Sequence, residues 1–144
     1  MEKLETNSER LNRMFKENGL VRADIFDDKR GFSIIKREGI EKIIAKRNIQ
    51  MQLEMKLCNL GVKDVDDSVV IMATGKMGST IIQSFGSAND KTTSPFQKGI
   101  MVEMAEKRAK SRVTLQLAGF YSEGIYGEDE FAETKPINKL DLAK

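Results

Sequence analysis

The stretch that most constrains this chain is Met101 to Tyr121, MVEMAEKRAKSRVTLQLAGFY. From Met101 to Ala118 it contains neither proline nor glycine, and almost every residue in it tolerates a helix. At 3.6 residues per turn, Val102, Ala105, Ala109, Val113 and Leu117 fall on one narrow apolar arc. Two of these are alanine, so whatever packs opposite can approach closely. Gly119 follows the last periodic residue, where a helix stop is expected. Lys107, Arg108, Lys110 and Arg112 crowd the same helix. Arg108 and Arg112, four apart, share one side of the arc, whereas Lys107 and Lys110 lie on its other sides. Such a cluster is most often a solvated face, so its neighbourhood must decide what it does.

The rest of the chain reads as short alternating elements. Residues 8 to 18 suggest an amphipathic helix capped by Ser8, with Leu11, Met14 and Phe15 inward and Asn18-Gly19 as its end. Asp27 to Gly31 is turn chemistry leading into a candidate strand, Gly31 to Ile35. A second helix, Ile40 to Arg47, follows with Ile40, Ile43 and Ile44 as its buried stripe. From Ile49 to Leu57 apolar residues alternate with polar ones. Ile49, Met51, Leu53, Met55 and Leu57 are expected on one buried face, with Glu54 and Lys56 on the wet one. Val69 to Thr74 and Ser79 to Phe85 are further strands joined by a tight Gly75-Lys76-Met77-Gly78 connection. A polar loop, Gly86 to Gly99, leads into the long helix; loops of that length in a small domain are usually functional or disordered. The expected fold is therefore α+β, an antiparallel three-stranded meander with a long helix packed across it, plus short N-terminal helices. Residues 1–135 form the expected domain, and 136–144 a flexible tail too short to be a partner-binding domain.

Composition narrows the chemistry. With 144 residues the chain supports a single domain with a useful core. Histidine is absent and Cys58 is the single cysteine, which excludes histidine-based catalysis, an intramolecular disulfide and zinc sites. Flanked by Leu57 and Leu60, Cys58 is expected to be a small core residue. No run approaches the roughly 18 apolar residues of a membrane span, and MEKLETNSER has no signal-peptide core. A reducing cytoplasm is the expected location. The formal net charge is only +2, so any polyanion argument must rest on distribution. Bases gather at Lys36, Arg37, Lys42, Lys46 and Arg47 and again at 107–112; acids gather at 24–28, 64–67 and 123–133. Gly75-Lys76 is not a P-loop, because the upstream glycine and the following Ser/Thr are missing. No cofactor is expected. Exposed aromatics for base stacking reduce to Phe96 and Tyr121, with Phe85 expected in the core.

Three features in order carry a family likeness. Ser33-Ile34-Ile35 runs into Glu38-Gly39 and a short helix; a meander ends in Ser84-Phe85-Gly86; and a lysine-bearing loop leads to a helix containing Ala105-Glu106-Lys107-Arg108-Ala109 and ending Leu117-Ala118-Gly119. In this order the chain resembles the Rad-fifty-two-like single-strand annealing proteins, a superfamily that includes phage recombinases of the Erf type. The resemblance covers roughly residues 31 to 121. It implies a non-enzymatic, homo-oligomeric ring or filament of phage or bacterial recombination and repair. Such a protein binds single-stranded DNA in a basic groove and anneals complementary strands without ATP, with a single-strand binding protein or an exonuclease as companion. The family's groove-lining Lys-Arg pair falls on Lys107 and Arg108, with Arg112 beside them. Lys98 and Lys91 are candidates for the loop lysine. The family places an arginine soon after its Glu-Gly; this chain has Ile40 and Glu41 there, so Lys36, Arg37 and Lys42 become the candidates for the inner contact.

Two other classes compete. Glu54-x-Lys56 on a strand, with Asp28 upstream, is the pattern of a Mg²⁺-dependent nuclease, although such a pair is common by chance on the wet face of a strand. A small adaptor or inhibitor, whose acidic segment mimics nucleic acid, is the third.

Overall fold

The computed structural model describes residues 4–27, 33–89 and 100–128. The first helix, α1, spans Asn7–Glu17. Its cap is Thr6 rather than Ser8: the Thr6 hydroxyl accepts from the Glu9 amide at 3.1 Å and donates to the Glu9 carboxylate at 2.9 Å. The Thr-x-x-Glu pattern thus satisfies two polar ends two residues earlier than expected. A 3-10 turn at Arg22–Asp24 follows. Strand β1 is Ile25–Asp27, β2 is Ser33–Ile35, and helix α2 runs Arg37–Arg47, closed by Asn48 in the left-handed region.

The meander comprises β3 (Gln50–Asn59), β4 (Ser68–Met77) and β5 (Thr80–Asn89), in the order β3-β4-β5 and antiparallel throughout. Gly78, at φ 61°, occupies the first position of a two-residue hairpin loop between the paired Met77 and Thr80, where a positive φ suits the twist of the strands. Helix α3, Met101–Ala118, lies on this sheet and stops at Gly119 with φ 85°. The two-residue strand β6, Tyr126–Gly127, then runs parallel to β2, making a second small sheet, β1-β2-β6, that the sequence did not announce. No described helix is long and apolar enough to cross a membrane.

The alanine arc does what its side chains allow. Ala105, Ala109, Val113 and Leu117 are buried against the inward row of β4, namely Val69, Ile71, Ala73 and Gly75, and against Ala88 of β5. At Gly86 the helix backbone itself rests on the strand. A Cβ there would stand 2.2 Å from the Ala109 amide nitrogen and 2.4 Å from the Ala105 carbonyl oxygen. Only glycine opposite two alanines permits that approach. Phe15 of α1 stacks on Phe120 just beyond α3, with ring centroids 5.7 Å apart, which closes the N-terminal end of the core.

The seating of α3 corrects one expectation. The helix lies over β4 and β5 and barely touches β3. Ile49 is buried and Met51 half-buried, but Leu53, Met55 and Leu57 are exposed at 41%, 47% and 42%. The register shift between Met55 and Leu57 adds a second reason: Leu57 pairs with Val70, whose side chain lies on the face away from α3. Cys58, expected in the core, is exposed on this edge strand. Phe85, also expected in the core, is 49% exposed, because it faces away from α3 opposite Met72.

Candidate nucleic-acid interface

A cleft of about 220 Å³ opens where α2, α3 and β3 meet. Helix periodicity decides what lines it. Arg37, Ile40 and Glu41 are three and four apart and so share one face of α2. Glu106, Lys107, Lys110 and Ser111 form the matching face of α3, and Leu53 of β3 completes the lining. The uncovered flank of β3 is thus what leaves the cleft room. Two apolar side chains, Ile40 and Leu53, lie among three cations and two carboxylates. Lys110 reaches across to Glu41, Nζ to Oε1 at 2.7 Å. Among the described residues Lys107 holds no ion pair. The arrangement can take an anion on Lys107, with Arg37 at the same mouth, and an apolar surface against Leu53, while the buried Ile40 floors the cleft.

Of the residues singled out in the sequence, Arg37 and Lys107 meet in this cleft. Lys110, three residues on and therefore on the same face of α3 as Lys107, joins them. Arg108 does not join them: it is fully buried, and its guanidinium donates to the Ser87 carbonyl oxygen at 2.8 Å. One turn on, Arg112 donates to the Phe85 carbonyl at 2.7 Å and to the Tyr121 hydroxyl at 3.2 Å. These two arginines straddle Gly86 and occupy carbonyls along β5, an outer strand of the sheet. An arginine stem packs like an apolar side chain while its head satisfies main-chain oxygens, which is why a basic position reads as core.

The remaining candidates scatter. Lys42 pairs with Asp24, Nζ to Oδ2 at 2.7 Å. Asp24 is buried, which works to raise its pKa. The Lys42 hydrogen bond and the Val21 amide outweigh that burial, and the carboxyl is held below the usual aspartate range. Lys36 precedes α2 and lines a separate pocket with Phe26, Ile34 and Glu128. Lys91, Lys98, Phe96 and Asp28 lie outside the described residues. Glu54 and Lys56 pair with each other at 3.1 Å, and no group of three or more acidic or cysteine side chains able to hold a metal occurs among the described residues. Tyr121 is half-buried and packs edge-on against Tyr126, with centroids 5.5 Å apart.

Sequence reasoning missed Glu41, Glu106, Lys110 and Leu53 as cleft residues. The spacing 37, 40, 41 carried a usable signal; the exposure of Leu53 did not, since it depends on where α3 settles. Compared with protein-family models, with curated proteins and with solved structures, the chain finds no match in any of the three.

Proposed function

We propose that this protein binds single-stranded DNA and promotes ATP-independent annealing of complementary strands, as a homo-oligomer of the Rad-fifty-two-like kind. The observation that carries the reading is the cleft in which Arg37, Lys107 and Lys110 converge beside Leu53 and Ile40. Phosphate binding needs cations that meet in space, each contact releasing condensed counterions. Single strands also expose base faces, and an apolar patch beside the cations gives these a place to lie. Among the described residues no aromatic side chain lines the cleft. Binding is therefore led by the backbone and largely blind to sequence. One cleft with three cations and two carboxylates is weak; a strand crossing many subunits multiplies it.

The test is a gel shift with fluorescent single- and double-stranded oligonucleotides, with and without Mg²⁺, beside Lys107→Ala. Single strands should bind without Mg²⁺, and the variant should bind all sequences less well. Mg²⁺-dependent cleavage would move the reading to the nuclease, and a complete lack of binding would move it to the adaptor.

A further inference from the structure

Glu41 sits where a ligand's charge would go. It lies on α2 one turn after Arg37, lines the same cleft, and its carboxylate already holds the Lys110 ammonium of α3 at 2.7 Å. The side chains are 55% and 33% exposed for Glu41 and Lys110, so the pair stands at the mouth in contact with water. An exposed ion pair of this kind is weak, so an anion delivered beside it at high local concentration can take its place. We propose that Glu41 is a resident competitor that occupies Lys110 until a phosphodiester displaces it, and so makes the cleft answer to a polyphosphate strand rather than to isolated anions. This rests on the nucleic-acid reading of the cleft.

The reason for the selectivity is local concentration. A lone phosphate or mononucleotide must compete with a carboxylate tethered within reach of Lys110, and it loses. A strand already held at Lys107 presents its next phosphate to Lys110 as an intramolecular competitor, and the tethered carboxylate no longer has the advantage. Displaced, Glu41 swings into water, since more than half of its side chain is already there.

The experiment is a double-mutant cycle of Glu41→Gln and Lys110→Gln, read by fluorescence anisotropy with a labelled oligothymidine and by titration with thymidine monophosphate. Glu41→Gln should bind the oligothymidine about two- to five-fold tighter, the range an exposed pair spans. Its salt dependence should keep the parent's slope, because the bound strand contacts Lys110 in both proteins. Thymidine monophosphate should gain measurable binding in this variant alone. In the Lys110→Gln background Glu41→Gln should change nothing, because the competition runs through that ammonium. Thermal melts of all four proteins show whether the fold is kept. If Lys107→Ala weakens binding while Glu41→Gln leaves it unchanged, or if the Glu41 effect survives without Lys110, the competitor role is lost and the cleft remains a binding site. If neither the parent nor any variant binds oligothymidine, the nucleic-acid reading and the competitor fall together.

Discussion

Two neighbouring residues, Lys107 and Arg108, read alike in the sequence and do opposite work. Lys107 lines an open cleft, whereas Arg108 is fully buried with its guanidinium on the Ser87 carbonyl. Lys107→Ala should keep its melting temperature, with a stability change within about 0.5 kcal/mol, and weaken oligonucleotide binding. Arg108→Ala should lose about 2–5 kcal/mol, because it leaves a cavity and removes the donor to the Ser87 carbonyl; urea denaturation reads the difference. Changing Lys107 and Arg108 together to alanine would therefore test stability before it tests binding. Asp24 supplies a pH dependence of its own. Its folded pKa lies below the unfolded value, so its carboxylate contributes stability that is present above the ordinary aspartate range and lost as pH falls through the folded pKa. Denaturation midpoints should begin to drop as pH falls into the ordinary aspartate range, about 4, and go on falling below it. Asp24→Asn should flatten part of that slope while lowering stability at neutral pH, since the Lys42 ammonium loses its counter-ion.

At the scale of elements, the contact that sets the architecture is α3 on β5 at Gly86. Backbone meets backbone there, so an added methyl has nothing flexible to push aside. Gly75 is the comparison: a Cβ at that position meets Val113 Cγ1 at 2.3 Å and Leu117 Cδ1 at 2.8 Å, which are side-chain ends. Gly86→Ala should therefore cost more than Gly75→Ala, with overpacking at about 1–3 kcal/mol as the scale. Ala109→Leu, on the same contact, should fall in that range too. Denaturant midpoints order the three. The same seating explains Arg108 and Arg112, which reach from the helix over β5 and take the carbonyls of Ser87 and Phe85. An edge strand whose outer oxygens are occupied is a poor template for another strand.

At the scale of the whole molecule, the surface left open is on the side of β3. Leu53 and Met55 are exposed beside the flank of α3, while Leu57 and Phe85 are exposed on the opposite face of the sheet. We expect subunits to meet through these surfaces in an assembly larger than a tetramer, measured by light scattering; a clean monomer on the order of tens of micromolar would sink that expectation. If binding is phosphate-led, the logarithm of affinity should fall linearly with that of salt, by roughly 0.7 per contact, and more steeply for the assembly than for any dissociated variant.

Local pattern alone determined a good deal of this protein. The 3.6-residue period of 102–117, the stop at Gly119, the alternation of 49–57, the strand-forming runs at 69–74 and 79–85 and the Gly-rich hairpin specify a meander and a long helix, because propensity and period act within a few residues. The pair of alanines at 105 and 109 even foretold a close approach. What only the tertiary structure decided is lateral placement. Periodicity says that Leu53 and Met55 share a face with Met51, but not whether a helix covers that face; α3 settled over β4 and β5 because Gly86 and Gly75 let it approach there. That displacement exposes β3, opens the cleft between α2 and α3, and turns Arg108 inward while Lys107 and Lys110 stay out. Small β1-β2-β6 pairing is likewise a long-range event: a two-residue strand has no periodicity to read, and only its partner β2 makes it one.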